Sequence, residues 1–290
     1  MEIEVRGHSG CQIDIVREAN NLVLYKSTAD KKYFPRLVKQ AEKQQVAGEL
    51  EYQHIRVPQI LSIEDRKSLL LVRMEYIYSK NFIEYFESAG FEQINYLIKA
   101  LELFLEKELA ASPVQTVEAR IIKDKFADVK NKVLNNTLLN EDVEVKEILR
   151  LSEPIFEKCQ DMVIPVGRCH GDLTFSNILF NGNNYFLIDF LDSFVESPLL
   201  DIVKIRQDSA YLWSALMYTK PYDAIRLKII SKKIDEEIDS YFQKYDWYMQ
   251  YYGIYQLMNF WRVLQYCKEP RIARYLKKVL LSILAQKHLF

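Results

Sequence analysis

Residues 169–201 read CHGDLTFSNILFNGNNYFLIDFLDSFVESPLLD. Within them Asp172 stands five residues before Asn177, and Asp189 follows twelve residues later at the end of an apolar, strand-like run. The tetrapeptide Asn181-Gly182-Asn183-Asn184 separates the runs 178–180 and 185–188. It is a hairpin signal, because a tight turn needs residues that accept positive φ. A loop, a hairpin and a strand ending in a carboxylate therefore follow one another. Phosphoryl transfer from a nucleotide requires a carboxylate facing the attacking hydroxyl, together with an amide oxygen and a second carboxylate as hard ligands for a divalent cation. Singly these residues are common. Their order within one loop, hairpin and strand makes the stretch specific.

Upstream, residues 2–6 and 11–18 alternate polar and apolar side chains, and 22–26 continues as a third strand. From Tyr33 to Gly48 the sequence favours a helix, with Phe34, Leu37, Val38 and Ala41 on one face. Two further strands are expected at 57–63 and 68–76. After Tyr78 the pattern turns helical: Ile94, Leu97, Ile98, Leu101, Phe104 and Leu105 recur at helical spacing, and 116–160 reads as further helix. From Asp201 to the end the chain reads as helices rich in aromatics.

The 290 residues suffice for a substantial core. With 39 basic and 40 acidic side chains the formal net charge is −1, which offers no basic excess to nucleic acid. No apolar run has the length of a membrane span and the N-terminus lacks a signal-peptide layout, so no membrane association and a cytoplasmic location are expected. Cys11, Cys159, Cys169 and Cys267 form no C-x-x-C pair, which favours free thiols over a disulfide or zinc framework.

HGDLxxxNIL followed by a strand ending in Ile-Asp-Phe resembles the aminoglycoside phosphotransferase and choline kinase superfamily, small-molecule kinases with a protein-kinase-like fold. The resemblance implies an α+β, bilobal architecture, with a β-rich N-lobe carrying one helix over 1–78, a mostly helical C-lobe over 79–290, and a hinge near 74–80. It implies a phosphotransferase that moves the γ-phosphoryl of ATP, with GTP left open, to a hydroxyl of a small metabolite. Asp172 would be the base, and Asn177 and Asp189 would hold Mg2+. His170 would support the loop, Gly171 would let it turn, and Asp201 would brace it from beneath. Lys26 would reach the nucleotide phosphates, and the turn around Ser9 would cover them with backbone N–H groups. Met74, Glu75 and Tyr76 would line the adenine pocket. A helix carboxylate should hold Lys26: Glu42 is the choice and Glu49 a further option, while Gln40 in the pairing position would leave the ion pair missing. Asp192 reads as a solvated carboxylate.

The acceptor is expected to be a small-molecule alcohol, namely a sugar, polyol or amino alcohol. The aromatics Tyr248, Tyr251, Tyr252 and Tyr255 could box a quaternary ammonium, but their helical spacing reads better as core packing. The run Asp235, Glu236, Glu237 and Asp239 reads as a solvated helix face, and the basic residues Arg271, Arg274, Lys277 and Lys278 as surface. Two departures stand out: Phe194-Val195-Glu196-Ser197-Pro198 lacks the Gly that relatives usually carry before Pro, and 204–208 is unlike the resistance enzymes. Two alternatives are a catalytically silent nucleotide-binding scaffold and a kinase of proteins or glycated proteins. The sequence leaves the oligomeric state undetermined.

Overall fold

Alternating side chains and a sharp turn at Ala19 (φ 51°) fold β1 (Gln12–Glu18) against β2 (Asn21–Thr28) as an antiparallel hairpin. The computed structural model describes residues 11–19 and 21–286. The strand expected at 2–6 and the turn carrying Ser9 lie outside the described residues. α1 (Phe34–Gly48) opens with Pro35 in its first turn, where a missing N–H leaves no bond unmade. Then come β3 (Ile55–Arg56), β4 (Ile60–Asp65) and β5 (Leu70–Glu75). The sheet order is β1-β2-β5-β4, and Leu37 and Ala41 of α1 pack on Leu70, Val72 and Met74 of β5. β4 begins later than the expected residue 57, since Pro58 has no N–H to give a ladder.

α2 (Phe82–Ser88) starts in a capping box, Asn81 accepting the Glu84 N–H while Glu84 accepts the Asn81 N–H. α3 (Phe91–Ala110) contains the helix expected from Ile94 to Leu105. β6 (Val114–Val117), α4 (Ala119–Leu134), α5 (Val143–Glu157) and β7 (Met162–Pro165) follow, with β6 pairing antiparallel to β7. Neither strand was expected. Three of the four β6 side chains are exposed, so no alternation marks it. After a 3-10 turn at Phe175–Asn177, β8 (Ile178–Asn181) and β9 (Asn184–Leu187) form the expected hairpin, with Gly182 at φ 59°. Five helices complete the described residues: α6 (Pro198–Ser209), α7 (Trp213–Leu216), α8 (Ala224–Phe242), α9 (Asp246–Leu264) and α10 (Pro270–Ala285).

The chain divides into two compact units. One holds the described residues up to Phe104 with Phe175–Asp192, the other Leu105–Thr174 with the residues from Ser193 on. In the first, β3 joins β9 and β8 in a second small sheet, over which Tyr85 stacks on Phe180 at 4.3 Å. In the second, Phe126 of α4 stacks on Phe156 of α5 at 4.0 Å, and the fully buried Trp261 of α9 donates to Ser152 of α5. Burying an aliphatic or aromatic side chain of this kind contributes about 1.5–3 kcal/mol. Lys277 of α10, expected at the surface, is instead largely buried and pairs with Asp142 and Glu144 at the start of α5. The negative residues there complement the N-terminal end of the helix dipole. No described helix is long and apolar enough to cross a membrane.

Candidate active site

In the first unit, β2 carries Lys26 directly opposite Val72 of β5. Opposed residues of an antiparallel pair project from the same face, and Val72 packs beneath α1, so Lys26 emerges on the α1 side of the sheet. Its ammonium group lies 2.7 Å from Asp189 Oδ1, a residue 163 positions away. The lysine side chain is 6% exposed and the aspartate 40%. The cation is thus stripped of water while the carboxylate stays wet. Asp189 Oδ2 makes no further bond to the described residues.

The α1 carboxylate expected to hold Lys26 is absent from this contact. The inner face of α1 is formed by Leu37, Gln40, Ala41, Gln44 and Ala47, and Glu42 lies one residue, or about 100°, beyond that stripe on the exposed side. Glu49 caps the helix end and is exposed as well. The polar groups facing inward are amides: Gln44 donates to the Pro58 carbonyl, and Gln40 Oε1 is buried without a partner among the described residues. What α1 does contribute is a pair of lysines one turn apart. Lys39 reaches Asp192 at 3.1 Å and Lys43 donates to the Leu191 carbonyl at 2.6 Å. Burial alone would raise the Asp192 carboxyl, but the Lys39 bond, a backbone hydrogen bond and the charges of Lys39 and Arg36 together outweigh it and hold it below its ordinary value. Asp192 is therefore paired rather than simply solvated. Glu42→Gln is expected to leave nucleotide affinity within about twofold of wild type, as for other surface substitutions. A tenfold loss by calorimetry would return Glu42 to the lysine.

The backbone at Asp189 has φ 60°, a left-handed conformation that Asp tolerates better than most residues. The Ile188 N–H donates to the Asn177 carbonyl at 3.1 Å, and Phe190 is buried, so the strained residue is fixed on both sides. Asn177 is itself buried at the end of the 3-10 turn. Among the described residues no three His, Cys, Asp or Glu side chains gather as a metal cage. An amide and a half-exposed carboxylate fit a magnesium ion whose shell is completed by phosphate oxygens and water, since that ion keeps several non-protein ligands.

Met74 is buried in the α1 core, and the Glu75 carboxylate accepts the Gln59 N–H while its own N–H donates to the Gln59 carbonyl. Tyr76 packs edge-on against Tyr78 at 5.0 Å. Beyond the ladder, the backbone groups of Tyr76 and Ile77 join none of the loop hydrogen bonds among the described residues.

In the second unit, the loop 166–174 is tied to α6. Asp201 accepts the His170 N–H at 2.5 Å and the Gly171 N–H at 2.7 Å, one on each carboxylate oxygen. The His170 ring Nδ1 in turn accepts the Asp172 N–H at 3.1 Å. Gly171 sits at φ 86°, where a side chain would be strained. One helical turn beyond Asp201, Lys204 meets Asp172 Oδ1 at 3.1 Å. In the segment before Pro198 that lacks the relatives' Gly, Glu196 accepts the Ser193 N–H at 2.7 Å and faces Cys169 Sγ at 3.1 Å, while Ser197 caps α6. Asp201→Ala strands two buried N–H groups, at about 1–3 kcal/mol each. We expect a clearly lowered denaturation midpoint, and an unchanged one would show that the brace is dispensable.

The acidic run on α8 is only half solvated. Glu236 and Glu237 pair with Lys232 and Lys233 on the surface, whereas Asp235 and Asp239 turn inward to Arg206 of α6. Asp235 takes the guanidinium by two oxygens, at 2.8 and 3.1 Å, and Tyr248 accepts from it at 2.6 Å. The guanidinium also lies 4.6 Å from the Tyr252 ring centroid. Burial works against the Arg206 charge, but Tyr252 and Asp235 more than compensate and raise its pKa. Tyr248, Tyr252 and Tyr255 are all buried, so the tyrosine stripe is core.

The sequence singled out Lys26, Asp172, Asn177, Asp189 and Asp201, and missed the contacts of Lys204 and Arg206. The signal for Lys204 was its place three residues after Asp201, on the same helix face.

The chain belongs to the phosphotransferase enzyme family, whose model matches residues 17–227. Among solved structures it is similar to a choline/ethanolamine kinase family protein from Mesorhizobium loti, at 14% identity and TM-score 0.55, over 96% of this chain and 91% of that one. It is also similar to APH(2")-IIia in its GDP and kanamycin complex, at 14% identity and TM-score 0.54, over 95% and 92% of the two chains. A third likeness is to amicoumacin kinase hAmiN in complex with AMP-PNP, Ca2+ and Ami, at 12% identity and TM-score 0.52, over 96% and 89%. No curated protein sequence matches the chain. At such identities the likeness establishes the fold, an antiparallel sheet followed by a mostly helical part.

Proposed function

We propose that the chain transfers the γ-phosphoryl group of ATP to a hydroxyl of a small metabolite, a sugar, polyol or amino alcohol. The observation that supports this most strongly is the Lys26–Asp189 ion pair. Two residues singled out for phosphate and metal binding, 163 positions apart, meet at 2.7 Å. Solved structures of similar fold include complexes with GDP and with AMP-PNP and Ca2+, in keeping with a nucleotide and a divalent ion.

Lys26 orients the α- and β-phosphates, and backbone groups of Tyr76 and Ile77, which join no loop hydrogen bond among the described residues, recognise the adenine edge. Asn177 and Asp189 hold Mg2+, which when bound neutralises charge on the phosphates. Asp172 accepts the proton of the acceptor hydroxyl as its oxygen attacks the γ-phosphorus. The bond from that phosphorus to the bridging oxygen breaks, ADP leaves, and the proton passes from Asp172 to solvent. Asp201 and His170 keep the Asp172 backbone fixed through this step. Catalysis of this kind is mainly positioning and charge stabilisation, which a loop braced by two buried hydrogen bonds can supply.

The missing carboxylate on the inner face of α1 favours a second reading, a nucleotide-binding scaffold without turnover. Calorimetric titration with ATP, with and without Mg2+, followed by ADP release in pools of sugars, polyols and amino alcohols, separates the two. Metal-dependent binding with acceptor-dependent release is the expected result. Binding with no release from any pool would favour the scaffold.

A further inference from the structure

On the reading just given, Asp172 faces the acceptor hydroxyl, and the groups around it carry information about that acceptor. Asp172 and Lys204 form a contact at 3.1 Å with side chains only 25% and 13% exposed. Lys204 projects from the same face of α6 as Asp201, which fixes the Asp172 loop through its backbone. One helix therefore holds both the main chain and the carboxylate of the base. A second cation on α6, Arg206, occupies Asp235 and Asp239 of α8 and the ring face of Tyr252 on α9.

A cationic acceptor is recognised by carboxylates that lack a cation of their own, or by an open aromatic face. Here the carboxylate of the base already holds a lysine of the chain itself. An ammonium group brought beside Asp172 would also meet Lys204 at close range, and like charges placed together weaken binding. An uncharged polyhydroxy compound meets neither obstacle, because it needs only hydrogen bonds.

We propose that Lys204 positions the Asp172 carboxylate and, as a fixed cation beside it, selects an uncharged polyhydroxy acceptor, a sugar or polyol, over one bearing ammonium groups. This rests on the transferase reading, and the experiment separates the two. ADP release from Mg-ATP is measured with matched acceptors, glucose against glucosamine and glycerol against ethanolamine, with kanamycin as a polycation. The wild type is expected to favour the uncharged partner at least about tenfold in kcat/KM, the scale of one misplaced polar group. Equal or better use of the ammonium partner would overturn the selection while leaving the transferase reading intact. Silence with every acceptor, in protein that binds Mg-ATP, would sink the transferase reading and the selection with it.

Lys204→Met should lower kcat by about 100-fold, as expected when a reacting group is misplaced by about an ångström, with the KM for ATP unchanged. Lys204→Arg should recover a large part of that loss. Both variants are compared with wild type by thermal melting, so that a folding defect is recognised. A folded Lys204→Met protein with full kcat would remove Lys204 from the mechanism, and a loss in KM for ATP alone would assign it to the nucleotide instead.

Discussion

Asp172→Asn is expected to lower acceptor-dependent turnover by about 10²–10⁴-fold, the usual worth of a positioned general base, while Mg-ATP affinity stays within about twofold. The amide keeps the size of the carboxylate but cannot take the hydroxyl proton. It also breaks the ion pair with Lys204, leaving a mostly buried ammonium without its counter-charge. That second effect bears on stability, because uncompensated buried charge is costly, and a melting curve separates it from the catalytic one. Initial rates and calorimetry on the same preparation check both. Turnover equal to wild type would take Asp172 out of the chemistry. A matching loss of nucleotide affinity would mean that it holds the nucleotide instead.

Asp189→Ala should weaken Mg-ATP binding by about 10–100-fold, the range seen when metal-site partners are removed. Two effects compete here. A metal ligand disappears, and Lys26 loses the counter-charge held at 2.7 Å. A lysine freed in this way has more charge to offer phosphate, so affinity for ATP without metal should hold or rise. The structural cost lies near the low end of the roughly 3–5 kcal/mol for a broken buried pair, because the aspartate is half in water. Calorimetry with and without Mg2+ reads the two effects apart. Equal weakening in both conditions would assign Asp189 to fold stability rather than to metal.

What local order marks was legible in the sequence. Asp172, Asn177 and Asp189 stand at fixed spacing around a hairpin whose turn residues announce it, and Lys26 sits on a strand marked by apolar neighbours. Glu42 failed for a reason of phase. The inward stripe of α1 runs through Leu37, Ala41 and Gln44 and takes Gln40 with it, and a buried amide looks in sequence like any surface glutamine. β6 was lost because three of its four side chains face water and do not alternate. Arg206 with Asp235 and Asp239 was beyond local pattern altogether. These partners are 29 and 33 residues apart and lie on two helices, so the acidic run could be read only as a charged helix face. Its inward half became visible once the packing of α8 on α6 was known.

The most direct test follows the γ-phosphoryl group itself. γ-labelled ATP is incubated with Mg2+, the protein and the sugar and polyol pools, and the label is traced by chromatography. The account predicts that label leaves ATP rapidly only when an acceptor is present, arrives on the hydroxyl of that acceptor, and stays on ATP with Asp172→Asn. Label that accumulates on protein, or that moves equally well with Asp172→Asn, would contradict it.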